Sequence, residues 1–176
     1  MILPAIRDKR FITLRRGGTL LDEDHHLLAI WAAHCAERVL HYFEAVRPND
    51  DRPRRAIELA HAWANGAITV RQALDAAGAS QAAARELSGA AKYAALSAGQ
   101  AAAAAHVAAH ELGSAAYAIR AVMAAASEDT SDRRSADLVR FEECQWQRDR
   151  LPEKIRDLVI DDQRLRNDIC WCVFNH

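Results

Sequence analysis

Between residues 80 and 126 alanine dominates so heavily that few architectures remain open to the chain. The run AGQAAAAAHVAAHELGSAAYAI, from Ala98 to Ile119, is its densest part. Alanine is the best helix former, because it loses no side-chain entropy and buries no polar group. It is also small, so a helix built from it lets neighbouring helices approach closely. The stretch predicts a helical hairpin at the centre of an all-α domain. The composition suits that reading: 51% of the 176 residues are hydrophobic but only 6% are aromatic. The apolar mass is therefore mostly small or aliphatic.

The length fits one domain with a real core. The formal net charge of −1 gives no global pull toward nucleic acid or a membrane surface. No apolar run approaches the ~20 residues that span a bilayer. MILPAIRDKR has no apolar core before a cleavage site, and the four cysteines, Cys35, Cys144, Cys170 and Cys172, are too scattered for a secreted disulfide framework. A reducing, cytoplasmic setting is the expectation.

Residues 1–22 read as an irregular basic arm, with FITLRR either a short strand or an extended piece lying on the bundle. A single helical domain follows over 23–176, with about six to eight helices. Asp22 is a candidate N-cap for a helix over 23–46, with Glu23 and Asp24 in its first turn. Leu28, Trp31, Cys35, Val39, Tyr42 and Val46 recur every three or four residues and make its apolar stripe. His34, Glu37, Arg38, His41 and Glu44 fall on another face. Pro53 opens a second helix that ends at Asn65-Gly66. Thr69 and Gln72 form a capping box for a third, which Gly78 can kink and Ser88-Gly89 ends. A fourth spans about Ala90–Leu112 and a fifth about Ser114–Ala126, with Gly113 between them either as a break or passed through. Thr130 or Ser131 caps a sixth that runs to about Arg150. PEKIRDLVI forms a short seventh, and Asp161-Asp162 separates it from the apolar tail ICWCVF, which is expected to dock on the bundle or on a second copy.

Two constellations are candidate sites. His106 and His110 stand four apart, so on a helix they share a face, as two ligands of one metal would. HVAAH has Val107 where the HExxH motif has its glutamate, which removes the zinc-protease reading. With His61 as a third ligand they would make a three-histidine bundle site similar to that of DinB-type metal hydrolases. The plainer alternative is that the pair hydrogen-bonds within the bundle. The second constellation is surface charge. Arg52, Arg54 and Arg55 crowd a helix N-terminus, where cations oppose the dipole. They either pair with carboxylates of the bundle or, with His34, Glu37, Arg38 and His41, face an acidic partner. No phosphate-binding loop, nucleophile elbow or dinucleotide fingerprint is present, and no cofactor is called for.

WAAHCAERVLHYFE, RPRRAIELAHAWANG, AGQAAAAAHVAAHELGSAAYA, WQRDRLPEKIRDLV and DDQRLRNDICWCVF, in that order, resemble the bacterial putative immunity proteins of polymorphic toxin systems, in the immunity-protein-five-like group. The resemblance implies a non-enzymatic, all-helical cytoplasmic protein that binds a cognate protein toxin and occludes it. It transfers no catalytic residues. A structural or self-associating helical module is the remaining alternative.

Overall fold

A computed structural model describes residues 2–128 and 135–175. Within them the chain forms seven α-helices: α1 (Asp22–Val46), α2 (Arg52–Ala64), α3 (Val70–Ala83), α4 (Gly89–Ala103), α5 (Glu111–Glu128), α6 (Ala136–Asp149) and α7 (Glu153–Arg166). The all-α bundle expected from the alanine content is the observed one. The arm is not a strand: it makes two 3-10 turns, Lys9–Phe11 and Leu14–Arg16, and a single bridge between Thr13 and Leu20. Ile2, Phe11 and Leu20 bury it against the main core.

The central helix is α1, which packs on α2, α4, α5 and α7. Its stripe is buried at Leu28, Trp31, Cys35 and Val39 and surfaces at Val46. Trp31 Nε1 donates to the Gln147 carbonyl at 2.9 Å, which pins α1 to α6. The expected cap is displaced by one residue: Leu21 occupies the cap position without a side-chain bond, and Asp22 is the first helical residue. Its carboxylate still lies in the first turn, where the dipole favours it. The capping box of α3 is present, with Gln72 N–H donating to Thr69 Oγ1 and Thr69 N–H to Gln72 Oε1. That helix passes through Gly78 and stops at Ala83, ahead of Ser88-Gly89. Thr130 and Ser131 lie outside the described residues; Ser135 caps α6 by accepting from Leu138 N–H.

The central hairpin differs from the expected one. Helix α4 ends at Ala103, a turn follows, and a 3-10 turn at Ala108–His110 leads into α5. Gly113 lies inside α5 and breaks nothing. A Cβ there would meet Gln100 Oε1 at 2.6 Å and Ile2 Cγ2 at 3.1 Å, so the glycine serves close approach. The real break contains no glycine or proline. Its freed carbonyls are bonded by distant side chains: His25 Nε2 lies 2.7 Å from the Ala104 carbonyl, Arg16 Nη1 donates to that of His106 at 3.4 Å, and Arg166 Nη1 to that of Ala109 at 2.9 Å. Buried backbone acceptors need such partners, and here tertiary donors replace the helical ladder.

Alanine packs one side of α1. Ala32, Ala33, Ala36 and Leu40 share a buried cluster with Ala56, Ile57 and Ala60 of α2, Ala76 and Ala77 of α3, and Ala98, Ala101 and Ala102 of α4. On the other side lie larger side chains, Leu112, Ile119, Ile155 and Val159, and a buried ion cluster. Arg166 binds both oxygens of Asp162, faces Glu111 at 3.4 Å, and also donates to the Ile2 carbonyl. Burial pushes the Glu111 carboxyl well up, and the Arg166 guanidinium opposes that shift. Helix α7 continues through Asp161-Asp162 to reach this cluster. The tail docks on its own bundle through Cys170, Val173 and Phe174, while Ile169 and Trp171 stay partly exposed. Arg140 and Arg148 hold it by donating to the carbonyls of Val173 and Phe174.

Candidate partner-binding face

Because α1 buries Cys35, Ala36 and Val39, the helical period turns His34, Glu37, Arg38 and His41 outward, and all four are exposed. The short connection after Val46 sets α2 antiparallel to α1, and two polar links cross the seam seven residues apart. Arg54 binds Glu44 with Nε at 2.7 Å, and His61 Nε2 lies 2.9 Å from Glu37 Oε1.

From the other flank, α6 supplies residues that the pattern of α1 alone does not announce. Trp146 lies between two guanidiniums: Arg38 sits 4.6 Å and Arg150 4.0 Å from its ring centroid. Cations over an indole face are attracted by its quadrupole. Arg38 also donates through Nε to Glu143 Oε2 at 3.2 Å. Glu143 is only 3% exposed, and its other oxygen accepts from Gln147 at 3.2 Å. Burial raises the Glu143 carboxyl, and Arg38 opposes that shift. The Arg38 head group is thus held in place by a buried acid below and an aromatic ring beside it. His34, Glu37, Arg38, Trp146 and Arg150 together line an open pocket of about 590 Å³. Burial lowers the His34 imidazole below its ordinary value, and Glu37 opposes that shift.

The remaining candidates separate. His41 faces away from this pocket and lines a different depression with Tyr42, Glu86 and Glu128. Arg52 folds back on Asp50 in a bidentate pair, at 2.8 and 2.6 Å. Arg54 is taken by Glu44. Arg55 is exposed and has no ion-pair partner among the described residues. Two of the three arginines therefore answer to carboxylates of the bundle itself.

The histidine pair is rearranged. His106 is exposed in the turn after α4, and His110 closes the following 3-10 turn, so the two do not share a helical face. His110 Nδ1 bonds Gln100 Oε1 at 2.7 Å, which is the plainer alternative read from the sequence. His61 stands with His34 and Glu37 instead. Those three are the one cluster of three or more His, Cys, Asp or Glu donors found in ligand-like proximity among the described residues. Trp146, Glu143 and Arg150 are the face's residues that sequence reasoning missed. Trp146 in the last turn of α6 and Arg150 at its C-cap stand four apart, a spacing that could have suggested a stacked cation.

A second recess, about 370 Å³, opens beneath the arm. Arg7, Arg15, Arg16 and His106 surround it, with Trp63 as an aromatic wall. Arg15 is paired with Asp22 at 3.0 Å, and Arg16 reaches the central turn.

Among the described residues no helix is long and apolar enough to cross a membrane. A sequence-family model described as "Imm-5 like putative immunity protein" matches residues 18–154. The match includes α1 to α6 and so the whole of the face built by His34, Glu37, Arg38, His61, Trp146 and Arg150. No curated protein and no solved structure matches the chain.

Proposed function

The chain belongs to the Imm-5-like putative immunity protein family, and from that premise we propose that it binds a cognate protein toxin in the cytoplasm and blocks it sterically, without chemistry of its own. The α1–α6 face is the surface we assign to this contact. The observation that carries the assignment is the fixed Arg38–Trp146–Arg150 stack at an open pocket. Arginine and tryptophan are the residue types that dominate protein–protein affinity, and a side chain already held in place loses little entropy on binding. Two outward guanidiniums beside His34 suit an acidic patch on the toxin and speed its approach.

The test is co-expression with toxins encoded next to this chain's gene. The wild-type chain restores growth and forms a tight complex with one of them. Arg38→Glu with Arg150→Glu weakens that complex more than tenfold while circular dichroism shows the helices intact. Failure of the wild-type chain to rescue any neighbouring toxin overturns the function. Rescue that survives the double charge reversal overturns the face.

A further inference from the structure

We propose that His34, Glu37 and His61 form a binding site for a zinc-class divalent ion. The three donors come from two helices that cross at this point. His34 and Glu37 are one turn apart on α1, and His61 reaches over from α2. Their ligand atoms all lie within 4.8 Å of one another. His61 Nε2 already stands 2.9 Å from Glu37 Oε1, and the two imidazole rings have centroids 5.4 Å apart at a tilt of 47°. Ligand atoms around a tetrahedral zinc ion are about 3.4 Å apart, as follows from metal–nitrogen and metal–oxygen distances near 2.0–2.1 Å. Small side-chain rotations close the gap, because all three side chains are at least partly exposed and no backbone has to move.

The donor set suits this ion class. Two imidazoles and one carboxylate leave a fourth position for water, the pattern of open zinc sites. The pocket above His34 and Glu37 gives a hydrated ion its entry path. Seven residues further along the same seam, the corresponding link is the ion pair of Glu44 and Arg54, where the cation is part of the chain. At Glu37 the chain provides two nitrogen donors and no fixed cation. The charges facing the site are Glu37 itself and Arg150, the residue that caps the end of α6; Arg38, the next residue on α1, is paired with Glu143. A bound divalent ion therefore meets one carboxylate, with the guanidiniums of Arg150 and of the Glu143-paired Arg38 beside the same pocket. The site shares its pocket with the proposed toxin contact, but metal binding is read on the chain alone, so either proposal can fail without the other.

The test uses the full, untagged chain, stripped with chelator and titrated with Co²⁺ as a spectroscopic probe. The expected result is one equivalent bound with intensified visible d–d absorption, displaced by one equivalent of Zn²⁺. His34→Ala and His61→Ala each weaken binding at least tenfold, while His106→Ala binds as the wild type does. If the His61 variant is poorly folded, His34→Ala decides alone, since that side chain is exposed. Absence of the band, or a band that persists in the His34 variant, overturns the site.

Discussion

The two flanks of α1 are held by opposite means. Toward α2 and α4, with α3 behind them, the interior is mostly alanine, with Leu40 and Ile57 the large buried side chains, none from α4 and no buried ion pair among the described residues. Toward α5, α6, α7 and the arm, large apolar groups share the interior with Arg166, Glu111, Asp162, Glu143 and Gln147. The first flank is specified by how close helices can come, the second by which group must meet which. Small side chains tolerate little added volume but discriminate weakly between registers. A buried guanidinium with acceptors on four residues, Asp162, Glu111, Ile2 and Ala109, is costly to disturb.

Removing the charge on the second flank gives the largest expected effect. Arg166→Ala strands Asp162 and Glu111 and frees the carbonyls of Ile2 and Ala109. Loss of one partner from a buried ion pair costs about 3–5 kcal/mol, read as a lower denaturation midpoint. A loss below ~1 kcal/mol, within the range of surface pairs, would remove the contrast between the flanks.

The junction of the flanks predicts a pH effect. Burial, then the nearby Arg166, lowers His110 from 6.5 to about 4. The unfolded chain therefore binds the extra proton first. His110's contribution is fully present above pH 6.5 and is lost as pH falls toward 4, with a slope of at most ~1.4 kcal/mol per pH unit. His25, lowered chiefly by burial, acts in the same sense. The raised carboxyls of Glu111 and Glu143 run the other way. The readout is thus the difference between wild type and His110→Gln, whose stability should fall less over this window. Parallel curves would show that His110 is not desolvated.

The smallest effect belongs to the alanine flank. Ala98→Leu adds volume where the side chain is fully buried among other alanines. Overpacking of this kind costs about 1–3 kcal/mol. Combined with Arg166→Ala, the two losses should add to within about 0.5 kcal/mol, as independent sites do. A larger coupling in chemical denaturation would show that the flanks are one unit.

Much of this architecture is readable before any coordinates. The stripe of α1, the stop at Asn65-Gly66 and the Thr69–Gln72 box are local signals with local causes, and each stands where the pattern puts it. The central break is different. Ala103 to Ala109 contain only residues that a helix accepts or tolerates, and the donors that let the backbone leave the helix are His25, Arg16 and Arg166. No window of sequence around the break contains them. Gly113 drew attention because glycine usually marks a break, whereas here it makes room for Gln100 and Ile2. The face was half legible for the same reason. Outward positions on α1 follow from periodicity, but the pairing of Glu37 with His61 and of Arg38 with Trp146 depends on how α2 and α6 cross it. The separation of His106 from His110 follows directly from the misplaced break.

That break also orders the folding reaction. Its carbonyl partners stand 79, 90 and 57 residues away in the chain, on α1, the arm and α7. Closing such long loops is entropically slow, and topologies dominated by them fold late. Helix α4 and its neighbours α2 and α3 can assemble from nearby contacts, but the turn into α5 has no local means of holding its shape. It sets only when the arm, α1 and α7 have all arrived. On a ribosome the turn after α4 therefore cannot finish until Arg166, 57 residues beyond its partner carbonyl at Ala109, has emerged.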